Sequence, residues 1–308
     1  MLSTPPPCAA ILAGGDGLRL RPLTERLAGD SRPKQFCRLF GGATLLDETR
    51  RRAGLIVRDD HQLVVVNRAH APYYADLGRE LAPGRLVVQP DNRGTAPAIM
   101  LAALTLLSLD GDAPLAVLPS DHDIADELTF MGAVADAVAL VSAGREALVV
   151  LGIEPRAPET EYGWIEPVID PGAAVTPIRR FWEKPSAALA QSLLGRGCLW
   201  NSFVMVGWAD AFRQVIETAV PEITAAFAPV GAALGRPAEM ATLARAYAAL
   251  PVVGFSERVL VPMAHRFSVM RVKDVGWCDL GNPRRVVESA RRRGDDPPWH
   301  TGAVPLTA

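Results

Sequence analysis

At 308 residues the chain falls between one large domain and two ordinary ones. Apolar residues make up 49% of it, ample for a large core, and a net charge of −2 gives no basic face for nucleic acid. The amino terminus, MLSTPPP, lacks the charged-then-apolar pattern of a signal peptide. The longest apolar stretch, Ala96 to Leu109, carries Thr105 and Ser108, is too short to span a bilayer and reads as a buried helix. A cytoplasmic protein without a membrane partner is expected.

In chain order, apolar runs at Cys8–Ala13, Leu63–Val66, Arg85–Gln89, Leu115–Leu118 and Ala147–Gly152 read as buried strands. Helical patterns lie between them near Leu45–Ile56, Ala71–Leu81, Ala98–Leu109 and Ala125–Ser142. Strands of uniform apolarity separated by helices argue for a parallel sheet covered on both faces, with ligands beyond the strands' carboxyl ends. The second half is less regular. Strands are expected at Tyr162–Val168, Val175–Glu183, Leu199–Val206 and Phe267–Val272. Helices are expected at Ala187–Leu194, Ala209–Thr218, Pro221–Leu234, Ala238–Leu250 and Pro283–Arg293. The tail from residue 295 to 308 is rich in Pro and Gly and reads as loosely attached. No linker divides the rest, so residues 1–294 read as one α/β domain with inserted elements.

The four cysteines (Cys8, Cys37, Cys198 and Cys278) show no CxxC spacing and read as small buried hydrophobes. The five histidines form no pair at helical spacing, so a His-based metal centre is not expected.

Chemistry concentrates after the strands. The first is followed by Gly14-Gly15-Asp16-Gly17-Leu18-Arg19, where glycines let a backbone approach anionic oxygens closely. The loop is neither G-x-G-x-x-G nor a Walker A loop. Arg19 and the later Arg32-Pro33-Lys34-Gln35 supply cations that could reach a polyphosphate. After the third strand, Thr95 or Ala96 with Pro97 marks a helix start, preceded by the amides Gln89 and Asn92 and by Arg93. The fourth strand ends in Pro119-Ser120-Asp121-His122-Asp123. Asp121 stands where a magnesium ion bridging phosphates would be held, and Asp123 is a candidate N-cap for the next helix.

Together these segments resemble the sugar-phosphate nucleotidyltransferase family. GGDGLRLRPLT followed by PKQF is similar to its G-G-x-G-x-R-L-x-P-L-T and P-K signature, and the PKQF ending and N-R-G-T-A-P-A-I are similar to the mannose-1-phosphate guanylyltransferase branch. The resemblance implies a Rossmann-like three-layer sandwich with a mostly parallel central sheet. Its nucleotide-binding part would be about residues 1–150 and its sugar-phosphate part about 151–294. It implies that Gly14, Gly15 and Gly17 wrap the triphosphate, that Arg19 steadies the departing pyrophosphate and that Lys34 contacts phosphate. Gln89, Asn92 and Thr95 would line the nucleoside. Asp121, with Asp279 in a G-W-C-D-L-G segment, would hold Mg2+. Gly163 in EYGWI, Glu183 and Lys184 in FWEKP, and Asn201 in LWNSF would take the sugar phosphate.

The substrates implied are GTP and mannose 1-phosphate, giving GDP-mannose and pyrophosphate in an enzyme that could form a homo-oligomer. Another sugar 1-phosphate, another nucleoside triphosphate, or a nucleotide-binding regulator without turnover are the alternatives. The chain departs from the pattern at Leu18, Arg21, Phe203 and Asn282-Pro283. It also departs at Ser256–Leu260, where an acidic residue that helps seat the sugar is displaced or lost.

Overall fold

The structure is a computed structural model that describes residues 4–145, 147–168, 170 and 173–294. The tail expected at 295–308 lies outside the described residues. Among the described residues nine strands form one sheet: β1 (Cys8–Leu12), β2 (Gln62–Asn67), β3 (Leu86–Gln89), β4 (Pro114–Pro119), β5 (Leu148–Ile153), β6 (Trp164–Pro167), β7 (Val175–Trp182), β8 (Leu199–Trp208) and β9 (Phe267–Val272). Their order is β3-β2-β1-β4-β8-β5-β9-β7-β6.

The first four strands are mutually parallel, as their near-continuous apolarity requires. β8 enters antiparallel between β4 and β5, and β9 then pairs parallel with β5. The sheet is therefore mixed where the second half of the sequence lost its regularity. β6 also pairs with the start of β8, so β8, β5, β9, β7 and β6 form a closed circuit of pairings.

Alternation along the strands divides the core in two. Cys8 and Ala10 of β1 and Leu115 and Val117 of β4 face the helices Thr95–Leu109 and Ala209–Ala219. Ala9, Ile11, Ala116 and Leu118 face the helices Leu45–Ala53, Glu127–Ala143 and Ala187–Gly195. These are the three layers expected. Thr95–Leu109 is apolar all round and buried over most of its length, as a helix inside a layered core should be.

Two expected helices are interrupted. The pattern at 71–81 resolves into Ala71–Tyr74 and Leu77–Glu80. That at 221–234 breaks around Pro229, which lacks the N–H a helix interior needs. An additional helix, Arg21–Ala28, carries Pro22 in its first turn and Gly29 at φ 76 just past its end. That pairing of helix start and stop signals was legible in the sequence. Asp123 does not cap the next helix; Asp126 does, accepting from the Thr129 N–H. Asp123 is instead buried against Arg293, at 2.8 Å from its Nε.

A third, smaller apolar cluster sets the site. Leu20 from beyond the glycine loop, Leu45, Leu280 and Val286 pack together. Burying Leu20 and Leu280 in one cluster draws the loop after β1 against the segment that carries Asp279.

Candidate active site

The glycine loop and the Asp121 segment leave the sheet side by side, because Leu12 of β1 pairs with Pro119 of β4. Ser120 fastens them: its N–H and its Oγ both donate to the Leu12 carbonyl, at 3.2 and 2.7 Å. The Asp279 segment joins from the other end of the chain. Asp123 and Cys278 exchange backbone hydrogen bonds of 2.8 and 2.9 Å, a single antiparallel bridge.

Lys34 sits where these segments converge. It is only 7% exposed. Its Nζ donates to the Asp279 carbonyl at 2.6 Å and the Leu280 carbonyl at 3.2 Å, and lies 3.2 Å from Asp121 Oδ2. The ammonium is therefore directed at both aspartate segments at once. Burial alone would raise the Asp121 carboxyl, yet Lys34 and His122 hold it below the usual carboxylate range. Burial lowers His122 despite the neighbouring Asp121. The Trp277 indole N–H donates to His122 Nδ1 at 3.2 Å, which assigns the imidazole proton to Nε2, 3.6 Å from Asp121.

A cavity of about 300 Å³ opens here, walled by Gly17, Arg19, Lys34, Asp121 and the Leu280–Gly281 backbone. A larger hollow of about 800 Å³ beside β7 and β9 contains none of the residues singled out from the sequence. Gly17 holds φ 60, and a Cβ there would stand 3.2 Å from the Lys34 backbone nitrogen. Gly15 faces open space. Gln35 braces the loop from beneath, donating to the Ala13 and Gly15 carbonyls at 2.9 and 2.8 Å. Arg19 is largely exposed, with Glu161 at 3.9 Å.

The three residues expected to line a base surround the loop, but their polar atoms are engaged within the protein. Gln89 is 3% exposed; its Oε1 accepts from the Tyr247 hydroxyl at 3.1 Å, and its Nε2 would be 2.4 Å from a Cβ on Gly14. Gln89 ends β3 and packs beneath the loop. Asn92 donates to Asp16 at 2.7 Å and accepts from the Gly94 N–H. Thr95 Oγ1 accepts from the Phe255 N–H at 2.8 Å. Asp16 also meets His70 at 3.1 Å, so its carboxylate ties the glycine loop to the Asn92 turn.

On the acceptor side, a Cβ on Gly163 would stand 2.6 Å from the Phe181 ring and 3.2 Å from Glu183, so only glycine fits. The Gly163 carbonyl accepts from the Asn201 N–H at 2.8 Å. Asn201 lies where β8 shifts register, and its Oδ1 accepts from the N–H of Phe203, which holds φ 59 in a position that favours glycine. Lys184, exposed and at φ 41, lies 3.7 Å from Glu183. Burial raises the Glu183 carboxyl above its ordinary value, and Glu257 adds to the rise. A single π-type turn, Ser256–Leu260, brings Glu257 to bear on Glu183.

Sequence reasoning missed Arg285. This guanidinium is buried over the Tyr162 ring and reaches Asp279 at 3.0 Å, Glu159 at 2.7 Å and Glu161 at 3.1 Å. It joins the Asp279 segment to the Tyr162–Gly163 turn. The signal lay in the departure Asn282-Pro283. Asn282 caps the last helix by accepting from the Arg285 N–H at 3.1 Å, and Pro283 starts it.

The chain belongs to the nucleotidyl transferase family, whose model matches residues 8–294. It is 34% identical to the xanthan biosynthesis protein XanB of Xanthomonas campestris over 96% of its own length and 62% of the relative's. It is 33% identical to the mannose-1-phosphate guanylyltransferase ManC of Salmonella typhimurium, over 88% of its own length and 57% of the relative's. The chain thus spans about three fifths of the curated relatives it matches. A Thermus thermophilus structure described as a mannose-1-phosphate geranyltransferase superposes with a TM-score of 0.80 at 30% identity, covering 94% of this chain and 80% of that one. A UDP-glucose pyrophosphorylase structure, at 14% identity and a TM-score of 0.59, shares the fold. Among the described residues no helix is long and apolar enough to cross a membrane.

Proposed function

We propose that the chain transfers a guanylyl group from GTP to mannose 1-phosphate, releasing pyrophosphate and forming GDP-mannose. The observation that carries this reading is one buried ammonium, Lys34, shared by the Asp121 carboxylate and the Asp279–Leu280 backbone, facing a cavity rimmed by the glycine loop. The names of relatives support the substrate pair.

Two anions must meet for this chemistry. Each like-charged pair at ~4 Å costs about 4 kcal/mol at an effective dielectric near 20, so neutralisation and positioning are the main work. The loop's backbone would approach the phosphates at Gly15 and Gly17, and Arg19, exposed beside Glu161, would meet the departing pyrophosphate. Asp121 and Asp279 offer oxygen donors alone, which suits magnesium. The Gly281 N–H and Arg285 both donate to Asp279 Oδ1, fixing its carboxylate. A bound magnesium ion would neutralise phosphate charge there. Glu183, Lys184, Asn201 and Gly163 would seat the sugar phosphate in the part of the chain from about 151 to 294, with the nucleotide held by about 1–150. A phosphate oxygen of the sugar attacks the α-phosphorus in line. The α–β bridging bond breaks and pyrophosphate takes the electron pair. No general base is needed, because the attacking oxygen is already ionised at neutral pH.

Pyrophosphate release from a panel of nucleoside triphosphates and sugar 1-phosphates tests the pair. GTP with mannose 1-phosphate should turn over fastest, and Asp121→Ala and Asp279→Ala should each remove most of that rate. Undiminished turnover in both variants would end the metal reading. GTP binding without release from any acceptor would point to a regulatory protein.

A further inference from the structure

At the opposite, amino-terminal edge of the sheet lies a second constellation that the transfer reaction does not use. Cys8 opens β1, His61 ends the turn just ahead of β2, and Asp110 follows the helix Thr95–Leu109. Cys8 Sγ is 3.5 Å from His61 Nδ1 and 3.5 Å from Asp110 Oδ2, and His61 Nδ1 is 3.7 Å from Asp110 Oδ2. One sulfur, one imidazole nitrogen and one carboxylate oxygen thus face one another from three separate elements.

A cysteine nucleophile activated by a His–Asp pair is the first reading of such a trio, and burial excludes it. Cys8 has no exposed surface, and burial together with Asp110 pushes its thiol up to about 12. The separations have another meaning. A zinc ion about 2.3 Å from sulfur and about 2.0 Å from nitrogen and oxygen sets tetrahedral edges of roughly 3.3–3.6 Å. The observed triangle nearly matches one face of that tetrahedron before any metal-driven adjustment.

The surroundings are those of a metal site's outer shell. Arg85, 7% exposed, donates from Nη2 to both Asp110 oxygens at 3.0 and 2.8 Å and fixes the carboxylate. Asp60 lies 4.0 Å from His61 Nε2, on the far side of the ring from the trio, where it would favour the tautomer with Nδ1 free to ligate. His61 and Asp110 retain some exposure while Cys8 has none, so an ion would enter past the first two and rest on the third. The fourth tetrahedral position faces that entry and suits water.

We propose that Cys8, His61 and Asp110 form a binding site for a borderline-soft divalent cation of the zinc class, distinct from the Asp121–Asp279 site. The thiolate and imidazole select against magnesium, which prefers oxygen ligands alone. On binding, the Cys8 thiol loses its proton to solvent, and the sulfur–metal bond replaces its hydrogen bond to Asp110. The ion would clamp the start of β1 to the turn before β2 and to the end of a core helix, a structural role remote from the transfer reaction.

Cobalt(II) is the probe. Full-length protein is stripped with chelator and titrated with cobalt(II) under excess magnesium. The expected result is one equivalent bound per chain, with thiolate-to-cobalt charge-transfer absorption that stoichiometric zinc abolishes, and a higher melting temperature. Cys8→Ala and His61→Ala should each remove the charge-transfer band. Each should weaken binding beyond the roughly 10–100-fold expected when only an outer-shell partner is lost, as in Asp60→Asn. Asp121→Ala should retain both band and stoichiometry. No saturable binding by the wild-type chain, a band that survives in both ligand variants, or its loss in Asp121→Ala would each overturn the assignment. The wild-type titration decides the matter even if a variant folds poorly.

Discussion

Replacing Arg285 with methionine would expose how the second aspartate is held. The guanidinium is 4% exposed and meets Asp279, Glu159 and Glu161, whose side chains are 15%, 23% and 40% exposed. Glu161 is open enough that solvent screens its share to little. Asp279 and Glu159 would keep charges without their partner, and breaking a buried pair from one side costs about 3–5 kcal/mol. Partial exposure of Glu159 places the expectation near the lower end, about 3 kcal/mol. At ~2–4 °C per kcal/mol for a large domain, the melting temperature should fall by roughly 6–12 °C. On the proposed metal role of Asp279, loss of the group that orients its carboxylate should also lower pyrophosphate release about 10–100-fold, with more magnesium needed for half-maximal rate. Arg285→Lys keeps the charge but not the planar fork, and should recover only part of both. Calorimetry with a magnesium-dependent rate assay reads the two effects together. A variant that melts within about 1 °C of wild type and needs no more magnesium would refute this account of Arg285.

Glu183→Gln should reverse the usual trade between function and stability. Because burial raises the Glu183 carboxyl, the folded state holds its proton more tightly than the unfolded chain, and stability is lost as pH climbs from the ordinary glutamate range through the folded value. The glutamine variant should therefore melt higher than wild type at pH 7, converge with it below about pH 4.3, and bind the sugar phosphate more weakly; an unchanged difference across that range would exclude the linkage. Gly94→Ala should be severely destabilising, since its Cβ would stand 2.4 Å from the Val253 carbonyl oxygen at φ 87. A loss of at least ~2 kcal/mol in denaturant titration is expected. Gly15→Ala should leave stability within about 0.5 kcal/mol because its Cβ meets open space, yet slow turnover by blocking the phosphates' approach to the backbone. Unchanged turnover in Gly15→Ala would remove that stretch of loop from the nucleotide site.

Much of this protein was written locally. The parallel β1–β4 unit follows from short apolar runs between helical patterns, and the Phe267–Val272 strand was placed to the residue. The glycine loop and Asp121 drew notice as backbone amides and a hard oxygen donor standing just after strands, whereas Lys34 and the Asp279 segment were proposed for the site through the family resemblance. Sequence could not say what each polar group would face once buried. Gln89 and Asn92 carry the right amides for reading a base, but tertiary packing sets them against Tyr247 and Asp16. Arg285 sits in an ordinary surface-looking helix, and only folding brings three carboxylates around it. Glu257 near Glu183, and Cys8 with His61 and Asp110, likewise join residues whose spacing carries no signal. The physical reason is common to all of them. Periodicity and turn chemistry act over a few residues, whereas partners for buried polar groups come from whichever distant segment the apolar core brings alongside.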